Sequence, residues 1–197
     1  MPTLQEYYGL LLAHEGEAAV ELIAPWEQGV IALMDESFRQ AFAAAGMANL
    51  VIPIAPGSSN QSIGNQVANF FATTINPHLR NFQLRPCAGQ GYPDRILMPA
   101  VGGQGFPFEL KATSDWNPND SNRRVLTSSS QKLRRHFRHP INHLLATVVY
   151  HQEAGVFRLE SVRLDYLNPD TEVSIRLEGS VSHKLLAESN HPSVHIA

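Results

Sequence analysis

The sequence has almost no cysteine and no long apolar run. Its single thiol, Cys87, cannot form a disulfide within the chain and has no second thiol with which to share a metal ion. This argues against a zinc or redox centre and fits a reducing compartment. The apolar stretches stay below the roughly 20 residues that cross a bilayer, and the first residues lack the basic start and cleavage site of a signal peptide. We therefore expect a soluble intracellular protein with no membrane partner.

Carboxylates are missing from one long part of the chain. Charged residues make up 17% of the 197 residues, and the net charge is −3. Residues 1–50 carry seven carboxylates and one basic residue, Arg39, whereas residues 121–152 carry no carboxylate and six cations. A segment of one sign creates a local field suited to a polyanion, whatever the total charge. The six cations are Arg123, Arg124, Lys132, Arg134, Arg135 and Arg138.

Length and composition favour one domain that spans residues 1–197. With 43% hydrophobic residues, the chain can fill one core, whereas two separate domains would each be thin. Apolar positions at helical spacing in "YYGLLLAHEGEAAVELI" and "EQGVIALMDESFRQAFAAA" predict a helical N-terminal segment over residues 1–50. A third helix is predicted to start among Ser58, Ser59 and Asn60 and to stop before Pro77.

Short extended segments are predicted after the third helix. "NFQLRPCAG", "DRILMPA" and "FPFELKAT" predict adjacent antiparallel strands, with "GGQG" as the turn before the last of them. After the polar loop "SDWNPNDSN", the stretch "SSSQKLRRHFRH" predicts a helix that Pro140 closes. "HLLATVVYH" then predicts a central strand and "GVFRLESVRLDYL" a more exposed one, while the C-terminal stretch is ambiguous. The expected class is α/β, with a mixed central β-sheet flanked by helices.

Two carboxylates and a lysine are predicted to meet on these strands. Asp94 stands near the end of one extended segment, and Glu109 and Lys111 project from the same face of the next because side chains alternate with a period of two. A hairpin through the glycines at 102, 103 and 105 brings Asp94 towards Glu109. Burying such a cluster is costly unless something binds between the carboxylates.

A divalent metal ion is the natural occupant of this cluster. Oxygen ligands from Asp94, Glu109 and the main-chain carbonyl of Leu110 suit a hard ion such as Mg²⁺, which keeps waters and binds substrate phosphate. Lys111 would then orient or deprotonate the attacking water and steady charge on phosphorus. The alternative is a surface hairpin in which Glu109 and Lys111 form a same-face pair worth under about 1 kcal/mol. The apolar residues on either side of Glu109 disfavour that alternative, because they need a core.

Pro93 and Asp94, followed by Glu109, Leu110 and Lys111, match the pattern PD…(D/E)xK. In this motif, and in its setting between a helix and a basic segment, the chain resembles the PD-(D/E)xK nuclease superfamily, in particular type II restriction endonucleases. The resemblance covers roughly residues 58–167, which we take as the catalytic core. It implies a restriction-endonuclease-like fold and Mg²⁺-dependent hydrolysis of phosphodiester bonds that leaves 5′-phosphates. It also makes Asp94 and Glu109 metal ligands and Lys111 the catalytic lysine.

The chain departs from the family pattern in the helix before the motif. Many members of the family carry a further acidic residue there, whereas "SNQSIGNQVANFF" offers only amides among its larger polar side chains. Either one of these amides fills that role, or Glu15 or Glu17 of the first helix does. The candidate amides are Asn60, Gln61, Asn65, Gln66 and Asn69.

The basic segment supplies candidate DNA contacts. Its cations would meet phosphates, giving salt-sensitive affinity with little sequence information. Arginine pairs with guanine and asparagine with adenine at base edges, and serines at a helix start can donate to phosphate. A solvated basic helix face is the plainer alternative. The candidates are Asn117, Asn119, Asn122, Arg123, Arg124, Ser128, Ser129, Ser130, Lys132, Arg134 and Arg135.

These observations lead us to expect a type II restriction endonuclease of the prokaryotic cytoplasm. It would cut double-stranded DNA at a short palindromic site and act as a homodimer, since a palindrome asks for two identical sites related by a two-fold axis. Two alternatives stay open. One is a structure-specific or repair nuclease of the same superfamily, and the other is a non-catalytic DNA-binding regulator in which Asp94, Glu109 and Lys111 are structural.

Overall fold

The computed structural model describes residues 1–13, 22–89, 91–114, 125–126, 130–138, 140–178, 182–188 and 190–197. Their helices are α1 Leu4–Ala13, α2 Gln28–Ala44, α3 Asn60–Ile75 and α4 Ser130–His136. Their strands are β1 Val51–Pro53, β2 Phe82–Pro86, β3 Arg95–Pro99, β4 Phe106–Thr113, β5 Val125–Leu126, β6 His143–Glu153, β7 Val156–Leu167, β8 Val173–Glu178, β9 Ser182–Ala187 and β10 Ser193–Ile196.

The strands form one large mixed sheet and one small sheet. The large sheet has the order β1-β7-β6-β4-β3-β2, and β10 also pairs with β7. β2, β3 and β4 run antiparallel to one another, β4 and β6 are parallel, and β6 and β7 are antiparallel. The small sheet has the order β5-β9-β8. The predicted mixed α/β architecture, a central sheet flanked by helices, is therefore confirmed.

α2 and α3 cover one face of the large sheet. α3 begins where Ser59 caps it, since the Ser59 side chain accepts from the Ser62 amide at 3.2 Å. The Phe38 ring of α2 stacks on Phe108 of β4 with centroids 5.9 Å apart, and both are fully buried together with Phe71 of α3. Each such side chain contributes about 2 kcal/mol through burial. This apolar layer fixes the position of β4, which carries the motif residues.

A second apolar cluster lies on the other side of the sheet. It combines α1 and α4 with the segment before β3 and with β9, through Tyr8, Leu133, Tyr92 and Leu185. Ile96 of β3 packs against this cluster, whereas its neighbour Leu97 belongs to the α2 and α3 side. Neighbouring side chains of β3 therefore point to opposite faces of the sheet, and helices pack on both faces.

Several sequence predictions are confirmed and others need correction. α2, α3 and the three antiparallel strands lie where the patterns predict them, whereas α4 ends at His136, before the predicted end at Pro140. β7 is more buried than expected: residues 162–165 are paired on both edges, by β6 and β10, and residues 164–167 are all buried. The ambiguous C-terminal stretch forms β8, β9 and β10. Among the described residues, no helix is both long and apolar enough to cross a bilayer.

The β3–β4 hairpin sets the geometry of the candidate site. Arg95 is paired with Phe108, so the preceding Asp94 comes opposite Glu109. The turn needs a glycine at 105, because a Cβ there would lie 2.5 Å from the Met98 sulfur and 2.6 Å from a methyl of Ile96. The glycine turn that the sequence predicts therefore has a steric cause.

Candidate active site

The structure brings Asp94, Glu109 and Lys111 together at one end of the hairpin. The Lys111 ammonium donates to Glu109 Oε1 at 2.5 Å, and the Asp94 main-chain amide donates to Glu109 Oε2 at 3.1 Å. Glu109 is 3% exposed, Asp94 is exposed, and the Lys111 side chain is 26% exposed. One buried carboxylate is thus held between an ammonium and the backbone of a second acidic residue that faces solvent.

Charges of both signs surround Glu109. Burial raises the pKa of the Glu109 carboxyl, Lys111 opposes that rise, and the Asp94 carboxylate adds to it. The Glu109 carboxyl is therefore influenced by a second carboxylate, that of Asp94, and by the Lys111 ammonium, while the Lys132 ammonium lies one peptide unit away. Such an arrangement favours a bound cation, because a positive charge between the carboxylates offsets both their repulsion and their desolvation.

The ligand set for that cation is small. Among the described residues, no group of three or more His, Cys, Asp and Glu side chains is placed to hold a metal ion. The remaining donors are the carboxylates of Asp94 and Glu109 and the main-chain carbonyl of Leu110. Oxygen donors of this type suit Mg²⁺, which completes its coordination with waters and substrate phosphate. The donor chemistry therefore fits a hard divalent ion.

A cavity of about 380 Å³ opens beside Asp94 on the α3 side of the sheet. Asn65 and Asn69 of α3 line it together with Arg95, whose guanidinium donates to Asn69 Oδ1 at 3.0 Å. Two of the candidate amides thus lie next to Asp94. Glu109 points to the opposite face of the sheet from Leu110, because neighbouring side chains alternate. Glu15 and Glu17, the other candidates for this role, lie outside the described residues.

The predicted DNA contacts are only partly described. Asn117, Asn119, Asn122, Arg123, Arg124, Ser128 and Ser129 lie outside the described residues. Ser130 begins α4, and its side chain is also outside them. Arg135 is exposed on α4 and Arg134 is half-buried, so both can reach a ligand in solvent. Lys132 is 6% exposed, and its ammonium is directed into the protein rather than towards solvent.

A buried tyrosine and histidine support the segment before Asp94. Tyr92 Oη lies 2.6 Å from Nδ1 of His143, and Nε2 of the same ring lies 2.5 Å from the Leu22 carbonyl. A carbonyl only accepts, so Nε2 carries the proton and Nδ1 accepts from the tyrosine hydroxyl. Burial lowers the pKa of His143 to about 4, which keeps the ring neutral. The sequence marks this pair only by a histidine at the head of an apolar strand.

A second buried carboxylate was not found by sequence reasoning. Asp165 of β7 is fully buried, and its Oδ1 accepts from two guanidinium nitrogens of Arg163, each at 2.8 Å, and from His191 Nε2 at 2.9 Å. Arg163 and Asp165 stand two residues apart on one strand face, as Lys111 and Glu109 do. The same period of two is the signal that could have found this pair.

The candidate site combines Asp94, just before β3, with Glu109 and Lys111 of β4. Comparison of the chain with protein-family models, curated proteins and solved structures finds no significant match. Function is therefore inferred from the residues of this chain alone.

Proposed function

We propose that this protein is a Mg²⁺-dependent endonuclease that hydrolyses phosphodiester bonds in double-stranded DNA. The observation that carries the proposal is the buried Glu109 carboxylate at the end of a hairpin, which accepts from the Lys111 ammonium and from the main-chain amide of Asp94. A buried carboxylate with incomplete charge compensation costs stability, so a function for the cluster explains it better than a structural role does.

Each residue of the cluster has a distinct task. Asp94 and Glu109 hold the cation with the Leu110 carbonyl. When bound, Mg²⁺ lowers the pKa of water and offsets negative charge on the leaving oxygen. The Lys111 ammonium is a proton donor next to the reacting phosphate and orients the attacking water. Glu109 holds this ammonium in place through the hydrogen bond at 2.5 Å.

DNA reaches this site along the basic segment. Arg134 and Arg135 of α4 contact phosphates, which gives affinity that falls with salt. Residues 115–124 follow β4 in the sequence and lie outside the described residues; base contacts would come from Asn117, Asn119, Asn122, Arg123 and Arg124. Residues of this type read adenine and guanine in the major groove.

The expected substrate is a short palindromic site cut by a homodimer, as in type II restriction endonucleases. Incubation of the purified protein with plasmid DNA of known sequence and Mg²⁺ should give discrete fragments with 5′-phosphate ends, and a chelator should stop the reaction. Fragments with scattered ends, together with preferred cutting of branched or mismatched DNA, would instead identify a structure-specific or repair nuclease.

Asp94→Asn is the decisive variant for the catalytic assignment. It removes one metal-binding carboxylate from an exposed side chain whose main-chain bonds are kept, so folding should be retained while cleavage is lost. Asp170→Asn, at an exposed turn position away from the site, is the matched control and should cut normally. Normal cutting by Asp94→Asn, or no cutting by the unsubstituted protein with any divalent ion, would contradict the proposal.

A further inference from the structure

Lys132 is an unusual lysine because its ammonium is buried against backbone. It is 6% exposed, and its Nζ donates to the carbonyls of Gly89 at 2.9 Å, Gly91 at 2.7 Å and Pro93 at 2.6 Å. An ammonium has three N–H donors, and these three carbonyls can take up all of them. A buried charge is tolerated only when it is hydrogen-bonded in this way. Lys132 is therefore committed to the protein interior and not to a phosphate in solvent.

The three carbonyls belong to one segment, residues 87–94, which we call the Asp94 loop. Its described residues are 87–89 and 91–94. α4 holds this loop at a second point, because His136 Nε2 lies 3.2 Å from the Ala88 carbonyl. The ends of the loop are joined by a bond of 3.1 Å from the Cys87 amide to the Asp94 carbonyl. The loop therefore rests on α4 at one side and ends at a candidate metal ligand.

One peptide unit connects Lys132 to the carboxylate cluster. The carbonyl of Pro93 and the amide of Asp94 belong to the same planar group. Its oxygen accepts from Lys132 Nζ at 2.6 Å, and its N–H donates to Glu109 Oε2 at 3.1 Å. Because the group is planar, fixing its oxygen also fixes the direction of its N–H. The ammonium thus sets the orientation of the backbone from which the Asp94 side chain leaves and to which Glu109 is bonded.

We propose that Lys132 is a positioning residue for the cation site, acting through the Pro93–Asp94 peptide to hold Asp94 and Glu109 at the separation that a divalent ion requires. This rests on the proposed function for the identity of the site. Lys132 touches neither substrate nor metal. Residues that support metal ligands in this way typically change metal affinity or activity by about 10–100-fold when replaced.

The experiment compares Lys132→Met with Arg135→Met in the full-length protein. Methionine keeps an unbranched apolar stem but removes the three donors, whereas Arg135 lies on the same helix and is exposed. Three quantities are measured for each variant: the affinity for Mn²⁺ by calorimetry, the hydrogen-exchange rate of the Asp94 amide, and kcat and KM for DNA cleavage. The Leu84 amide, which donates to Asn76 Oδ1 at 2.7 Å, is the internal reference for exchange.

Lys132→Met should weaken Mn²⁺ binding about 10–100-fold, accelerate exchange of the Asp94 amide but not of the Leu84 amide, and lower kcat. Arg135→Met should raise KM and leave Mn²⁺ affinity and Asp94 exchange unchanged. Equal acceleration at both amides, or unchanged Mn²⁺ affinity in folded Lys132→Met, would overturn the proposal. So would a rise in KM alone, because that result marks a phosphate contact.

Lys132→Gln provides a graded version of the test. Its two amide N–H donors can serve two of the three carbonyls, so its Mn²⁺ affinity should lie between those of the unsubstituted protein and Lys132→Met. If neither variant folds, Lys132 is a folding determinant and the proposal fails. Absence of DNA cleavage by the unsubstituted protein counts against the proposed function alone, because Mn²⁺ affinity and amide exchange are measured without DNA.

Discussion

Two buried carboxylates on the same large sheet are compensated in different ways. Asp165 of β7 accepts from two nitrogens of Arg163 and from His191, all on one oxygen. Glu109 of β4 accepts from Lys111 and from a main-chain amide, with the carboxylate of Asp94 close by. The first cluster has one carboxylate facing an arginine and a histidine. In the second, one buried carboxylate accepts from a lysine and from a main-chain amide, and a second carboxylate lies close by.

We propose that the first cluster is structural and that the second is functional. A buried ion pair with matched charges and several hydrogen bonds holds strands together, and breaking it is costly. A buried carboxylate beside a second one is destabilised unless a cation joins them. The Asp165 cluster ties β7 to His191, next to β10, although Asp165 Oδ2 and His191 Nδ1 are buried without a hydrogen-bond partner among the described residues. Under the proposed function, a bound cation would offset the charges of Asp94 and Glu109.

The largest expected effect is a difference in folding stability between a variant of the Asp165 cluster and a variant of the Glu109 cluster. Asp165→Asn should lower the free energy of unfolding by about 3 kcal/mol, because it removes the buried carboxylate that is bonded to the guanidinium of Arg163, whose side chain is 12% exposed. Asp94→Asn should cost nothing, since it removes a like charge near Glu109. Urea unfolding of both variants measures the contrast. Equal losses in the two variants would remove the distinction between the clusters.

A smaller effect concerns the single ammonium of the second cluster. Lys111→Met should lower the cleavage rate about 100-fold or more, as loss of a positioned proton-transfer group commonly does. Arg85→Met, which removes an exposed cation from β2, should leave the rate unchanged. Single-turnover cleavage assays at saturating DNA give both values. Unchanged cleavage by Lys111→Met would indicate that Lys111 has a structural role and not a catalytic one.

The smallest predicted effect is on the pH dependence of stability. Because the pKa of Glu109 is raised in the folded state, chiefly by burial, the folded protein favours the protonated form. Stability is then fully present below the ordinary pKa of 4.5 and is lost as pH rises through the raised value. Thermal unfolding in a chelator should show this loss, and Glu109→Gln should lack it. Added Mg²⁺ should reduce it, whereas a loss that both proteins share would arise elsewhere.

Local patterns predict much of this site. The period of two places Glu109 and Lys111 on one face, and Gly105 marks a turn where no side chain fits. Together these bring Asp94 opposite Glu109, which is the geometry found. The helix boundaries of α2 and α3 follow from Gly46, which adopts a positive φ of 61°, and from the cap at Ser59.

The tertiary contacts could not be predicted in the same way. Lys132 is one of six cations in a segment with no carboxylate. From its charge alone, the sequence predicts that it contacts phosphate. Its burial depends on the curvature of the Asp94 loop, which brings three carbonyls to one point. His191 reaches Asp165 only because β10 pairs with β7. No local pattern encodes such long-range pairing.

Binding of Mg²⁺ to the purified protein, measured by calorimetry without DNA, tests the central claim most directly. The unsubstituted protein and Asp165→Asn, under conditions where it is folded, should both bind the ion. Asp94→Asn should bind it at least about tenfold more weakly, as expected when a ligand carboxylate is lost from a site of few ligands. Equal Mg²⁺ affinity in Asp94→Asn and the unsubstituted protein, or no binding by either, would contradict the account.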